Sequence, residues 1–224
     1  MTTMKLNDQD LAENPQSRLP VCLVLDTSGS MVGAPIDELN EGVKHFVKEL
    51  LDDELVCDVA DVAIVTYGES VKKQMDFSNV SSDTIVDCVA NGATPMGEAI
   101  EYSLDLLEKR KKEYKNHGTE YYQPWMCIMS DGIPTDPERY EAAVVRSNEM
   151  VNGGKLTIFP VAIGENADIN VLNRISPKLP ALRLEGLKFK EFFEWLSRSA
   201  KKVSESMPGE EVSLPQPTWV KVLI

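Results

Sequence analysis

Histidine and cysteine, on which most transition-metal and nucleophilic chemistry depends, are scarce in this chain: two histidines and four cysteines among 224 residues. His45 falls inside a helical stretch and His117 follows a basic helix end. Neither stands in a Ser/His/Asp arrangement, which argues against a hydrolytic triad. Cys22, Cys57, Cys88 and Cys127 lie far apart and never as Cys-x-x-Cys, so they suggest neither a zinc site nor a disulfide scaffold and read as buried free thiols. Positive charge is also short. Lys and Arg number 23 against 36 Asp and Glu, a formal charge of −13, and phosphate backbones and anionic membranes repel such a surface. Neither a nucleic-acid nor a membrane partner is expected. No run of about 18 apolar residues occurs, and no Gly-x-x-x-x-Gly-Lys loop offers a nucleotide cradle. The N-terminal MTTMKLNDQDLAENPQSR lacks the apolar centre of a signal peptide, so a cytoplasmic location is expected.

What is present is an ordinary globular composition, 42% hydrophobic and 26% charged, on a chain long enough for one large domain. Residues 1–17 are polar and aperiodic and are expected to form a mobile arm. Residues 18–206 carry the domain. Residues 207–224, rich in proline and without helical period, are expected to run extended and pack along it. Pro20–Leu25 reads as a buried strand, followed by a helix with Ile36, Leu39, Val43, Phe46 and Leu50 on one stripe. Val56–Tyr67 is β-rich, and Gly68-Glu69-Ser70 turns it into a polar edge strand, Val71–Phe77. Helices opening at Pro95 and Pro137, strands at Trp125–Met129, Leu156–Ile163 and Leu182–Leu184, a short helix with Val171 and Leu172, and a closing helix from Phe189 to Val203 complete the pattern. Alternation of this kind gives a doubly wound, mostly parallel six-stranded α/β sheet, with one antiparallel edge strand and helices on both faces.

In the strand order 3-2-1-4-5-6, ligands sit outside the carboxyl ends of the first and fourth strands, where the order reverses. The first strand ends in Asp26-Thr27-Ser28-Gly29-Ser30, the fourth in Ser130-Asp131-Gly132. Asn91-Gly92-Ala93-Thr94-Pro95 leads into a helix that starts near the same edge. Carboxylates and hydroxyls gathered there suit a hard divalent cation that takes oxygen ligands, and the lack of nearby histidine or cysteine weighs against zinc and copper. Each loop alone is weak: Asp26 with Gly29 can form a simple turn, Thr94 can cap a helix, and Asp136 is the more natural N-cap of the helix at Pro137.

DTSGS, the threonine of GATPMGEAI, and SDG together resemble the metal-ion-dependent adhesion site of von Willebrand factor A-type (vWA) domains. The resemblance implies a metal held by Asp26, Ser28, Ser30, Thr94 and Asp131, directly or through water. Mg2+ is the expected ion, with Mn2+ or Ca2+ as alternatives. It also implies an open coordination position, filled by an Asp or Glu carboxylate of a protein partner. RLPVCLVLDTSGSM, PIDELNEGV, QPW, SDGIPTD, FFEWLS and PGEEVSLP further resemble the bacterial TerY-like vWA proteins, associated with tellurium resistance and stress response. Gln123 departs from that pattern, where a basic residue is expected. A binding module rather than an enzyme is therefore expected, its partner and oligomeric state unnamed by the sequence. Met31, Tyr67 and Met96 stand as candidates for an apolar rim around the metal, with ordinary packing an equal alternative.

The competing reading is a haloacid-dehalogenase-like phosphotransferase, with Asp26 as nucleophile and Asp131 and Asp136 holding Mg2+. It lacks the acid/base aspartate at position 28, which is serine, and leaves the GATPMG loop without a purpose. Lys109–Lys115, the main basic cluster, is expected to complement its own helix dipole and stay solvated. Trp219, in the tail, is expected to pack on the domain.

Overall fold

The computed structural model describes residues 14, 16–165, 167–184, 186 and 188–217; most of the expected arm, and Trp219, lie outside the described residues. Strands β1 (Leu19–Asp26), β2 (Ala60–Tyr67) and β4 (Trp125–Ser130) are buried along their whole length. Continuous apolar runs of this kind require helices on both faces. With β3 (Val71–Ser78), β5 (Thr157–Ile163) and β6 (Leu182–Leu184) they form one six-stranded sheet in the order β3-β2-β1-β4-β5-β6. All neighbours pair in parallel except β3, which runs antiparallel along the β2 edge. The doubly wound order expected from the sequence is the one found.

Alternation along each strand divides the interior into two cores. Val21, Leu23, Leu25, Cys127 and Met129 face α1 (Ala34–Leu51) and α6 (Phe189–Ser204). Cys22, Val24, Met126 and Ile128 face α3 (Met96–His117), α4 (Pro137–Asn152) and α5 (Ile169–Ile175). Gly42 lets α1 and α6 touch, since a Cβ there would stand 2.8 Å from that of Phe189. All four cysteines are free, and burial pushes the Cys22 thiol up to about 12, so it packs as a small apolar group.

Two expectations need correction. The first four residues of the stretch read as β-rich, Val56–Val59, belong to a short helix, α2 (Glu54–Val59). Asp53 accepts a hydrogen bond from the Val56 N–H at 3.3 Å and so caps its first turn. Val56 and Val59, three apart, both turn inward, and β2 begins only at Ala60. The basic cluster on α3 is not all solvated. Arg110 is buried and donates from Nε to Asp61 Oδ2 at 2.6 Å, and the Tyr114 hydroxyl donates to the same oxygen. Burial pushes the Asp61 carboxyl above its ordinary value, against the pull of the Arg110 guanidinium. Lys111 pairs with Glu108 along the helix.

Residues 207–217 follow α6 without helix or strand. Val212 and Leu214 rest against the core, and the Trp195 indole N–H donates to the Pro215 carbonyl at 2.7 Å. An apolar groove of about 910 Å3 lies between this segment and the amino ends of β4 and β5, bordered by Trp125, Leu156 and Phe159.

Removing one partner of a buried ion pair leaves the other uncompensated, at a typical cost of about 3–5 kcal/mol. Arg110→Ala is expected to lose stability on that scale in urea unfolding. Asp61→Leu combined with Arg110→Met should recover most of it, because no buried charge remains. A single variant as stable as wild type would show that the pair contributes little.

Candidate metal site at the carboxyl edge of the sheet

Parallel pairing of β1 with β4 runs to Leu25 opposite Met129, so Asp26 and Ser130 end adjacent strands. The Asp26 side chain is fully buried there. Its Oδ1 accepts from the Ser28 N–H at 2.8 Å, and its Oδ2 from the Ser130 hydroxyl at 2.6 Å. Beyond Asp26 a single 3-10 turn, Gly29–Met31, brings Ser28 Oγ and Ser30 Oγ within 3.0 Å of each other. Ser30 Oγ donates to Asp131 Oδ1 at 2.9 Å. Asp26, Ser28, Ser30 and Asp131 thus form one hydrogen-bonded chain across the two strand ends. Thr94 lies beside it, buried, and a Cβ on Gly132 would stand 3.5 Å from its Oγ1.

Backbone contacts knit the loops together. Thr27 accepts from the Asn91 N–H at 2.7 Å, and the Gly29 N–H donates to the Gly92 carbonyl at 3.0 Å. Gly92 has φ 84, a left-handed conformation that glycine adopts without strain, and a Cβ there would fall 2.4 Å from the Glu69 Cα. Thr135 grips Thr94 twice: its Oγ1 accepts from the Thr94 N–H at 3.2 Å, and its N–H donates to the Thr94 carbonyl at 2.9 Å.

Asp136 does not cap α4, the helix that follows it. Its carboxylate instead accepts from the Gly97 and Glu98 N–H groups at 3.0 and 2.8 Å, capping α3 next door. The helix ends approach closely enough for this because residue 97 is glycine; a Cβ there would meet the Tyr140 N at 2.2 Å. Thr94 is consequently not the cap of α3. Ser130, Thr135 and Asp136 are the supporting residues that spacing did not reveal. Ser130 had one visible signal, a hydroxyl beside the aspartate that ends a buried strand.

The electrostatics leave a gap. Burial pushes the Asp26 carboxyl from 3.8 up to about 6; hydrogen bonds from Ser130 and Ser28 oppose the rise and the charge of Asp131 adds to it. No salt bridge among the described residues reaches Asp26 or Asp131. Two carboxylates with hydroxyl neighbours and no cationic side chain fit a dication that takes oxygen ligands. Among the described residues no three His, Cys, Asp or Glu side chains gather to hold a metal, so an ion here would lean on hydroxyls. Of the two roles open to Met31, Tyr67 and Met96, rim or packing, packing is the one found: all three are fully buried, and the Tyr67 hydroxyl donates to the Met129 carbonyl at 2.7 Å. Large apolar side chains are exposed on the loops after β1 and β4, Val32 at 64% and Ile133 at 65%.

Residues 21–184 match the family model of the von Willebrand factor type A domain. The chain belongs to that family. Among characterised relatives, this vWA domain is 21% identical over 165 residues to human inter-alpha-trypsin inhibitor heavy chain H6, covering 72% of this chain and 13% of that protein. It spans only 13–37% of the curated relatives it matches. Its fold is similar to that of the vWF domain of the type V pili tip protein Mfa5 from Porphyromonas gingivalis, with TM-score 0.65 and 11% identity, covering 88% of this chain and 99% of the other. It is also similar to the manganese-loaded TRAP protein of Plasmodium vivax, with TM-score 0.53 and 16% identity, covering 80% and 74%. No helix among the described residues is long and apolar enough to cross a membrane.

Two outcomes are expected. In metal-free protein, folding takes up a proton at Asp26, because the folded carboxyl stays protonated where the unfolded one has ionised. Stability from this group is full below the unfolded value near 3.8 and is lost as the pH rises through about 6. The loss is about 3 kcal/mol at roughly 1.4 kcal/mol per unit. Urea unfolding in EDTA from pH 4 to 7 should show Asp26→Asn gaining on wild type across that window; a constant difference would contradict the raised value. Asp136→Ala should cost about 1 kcal/mol through the lost cap of α3, read as a lower unfolding midpoint, and no change there would deny the capping role.

Proposed function

We propose that this vWA domain is a metal-dependent protein–protein interaction module. Asp26, Ser28, Ser30, Thr94 and Asp131 would hold a divalent cation, Mg2+ in the first place and Mn2+ or Ca2+ as alternatives. The observation that carries this reading is the hydrogen-bonded chain of two carboxylates and two hydroxyls at the switch point, with no salt bridge to it among the described residues. The fold shared with a manganese-loaded protein supports it. Asp26 and Asp131 balance the dication's charge, while neutral serine and threonine oxygens leave it electron-poor. When bound, the ion supplies an electrophilic point that an outside Asp or Glu carboxylate can complete. The protein's own residues hold that point rigid: Ser130 and the Ser28 N–H fix Asp26, and Thr135 fixes Thr94.

The motifs shared with TerY-like proteins, from RLPVCLVLDTSGSM through FFEWLS, support a place in a cytoplasmic bacterial tellurium-resistance or stress-response system. The phosphotransferase alternative fits the geometry less well. Asp26 is fully buried and each of its oxygens already accepts a hydrogen bond, an arrangement compatible with holding an ion through water but unsuited to direct attack on a substrate phosphorus. Asp136, its second metal ligand, is committed to the backbone of α3.

A ligand that binds only the folded state, at a hundred times its dissociation constant, stabilises by about 2.7 kcal/mol. Mg2+ or Mn2+ should raise the melting temperature of wild type accordingly. Asp131→Ala and the double variant Ser28→Ala/Ser30→Ala should lose the response, and variants that respond like wild type would sink the assignment. Mg2+-dependent hydrolysis of p-nitrophenyl phosphate that disappears in Asp26→Asn would favour the enzyme.

A further inference from the structure

We infer that Val32 and Ile133 form an apolar clamp over the metal position, and that the partner's carboxylate therefore arrives on a side chain or loop with apolar flanks. The inference rests on the metal-dependent reading above and specifies what that site accepts. Ser30 and Asp131 are joined side chain to side chain, and each clamp residue follows one of them by two positions. Both side chains therefore emerge within about 7 Å of chain from the same contact, one from each loop. They are 64% and 65% exposed, while Met31, directly before Val32, is fully buried. The first loop thus satisfies the core with Met31 and still presents a branched apolar group to solvent.

Neither presentation is loose. Val32 sits in extended backbone with φ −60 and ψ 134, its N–H turned back to the Gly29 carbonyl. Gly33, at φ 90, then turns the chain into α1. Ile133 precedes Pro134, whose ring disfavours helical backbone at the residue before it. Two β-branched side chains with few rotamers, on loops already tied to each other, lose little freedom when covered. The chain as a whole carries a formal charge of −13. A partner face carrying several carboxylates would be repelled. The chemistry that fits is a single acidic residue set among aliphatic or aromatic neighbours, on a face otherwise neutral or basic.

Monocarboxylates of increasing length probe the clamp directly. Acetate, butyrate and hexanoate would be titrated into the Mn2+-loaded full chain, with binding read from paramagnetic broadening of the ligand proton lines. Affinity should rise at least about tenfold from acetate to hexanoate, equivalent to about 1.4 kcal/mol. Val32→Ser/Ile133→Ser should flatten the series while leaving acetate binding and the Mn2+-induced rise in melting temperature unchanged. A protein that gains no stability from Mn2+ would fail the metal reading itself. One that gains it, yet shows a flat series in wild type or an undiminished slope in the double variant, would overturn the clamp. Dimerisation on adding Mn2+ that the double variant abolishes would assign these side chains to a second copy of the chain and overturn it as well.

Discussion

The hydrogen bond from Ser130 to Asp26 joins the ends of the two strands at which the sheet reverses its order, and the carboxyl edge is organised around it. A carboxylate withdrawn from water must find donors or give up its charge. Asp26 finds one donor on its own loop and one on the neighbouring strand, which fixes the geometry of both. Those donors take up one lone pair on each oxygen without neutralising it, and the charge of Asp131 nearby adds to the imbalance. The carboxyl edge thus gathers negative charge at the switch point, with no salt bridge among the described residues to offset it.

The second constraint is the closeness of the loops. Gly92 and Gly97 admit backbone where any side chain would collide. The loop after β4 also serves several purposes at once: Asp131 faces the serines, Thr135 holds Thr94, and Asp136 closes the first turn of α3. The candidate ligands on β1, β4 and the Thr94 loop are therefore parts of one framework.

Much of this could be read from the residues in order. Buried strands announce themselves as short apolar runs, and the switch-point rule places Asp26 and Asp131 at neighbouring strand ends. What stayed hidden depends on neighbours that sequence spacing does not identify. Asp136 stands where an N-cap belongs, but the nearest bare helix terminus in space is that of α3. Arg110 sits in a run of lysines that looks solvated, and only the arrival of Asp61 from β2 explains its burial. Val56 and Val59 lie in an apolar run too short to show a period, and the cap at Asp53 settles it as helix. Met31 and Val32 are adjacent and similar in character, so which one enters the core was set by the turn at Gly29–Met31.

Helix α3 has 22 residues, about 33 Å at 1.5 Å each. Its first turn is fastened by Asp136 beside the candidate site, and Arg110 and Tyr114 fasten its far end to Asp61 at the amino end of β2. A rod anchored at both ends cannot slide along its axis without breaking a buried ion pair at one end and two charge-assisted hydrogen bonds at the other. The loop that carries Thr94 is the lead-in to that rod. That loop therefore inherits the stiffness of a beam pinned at both ends, and its shape is set by the fold itself.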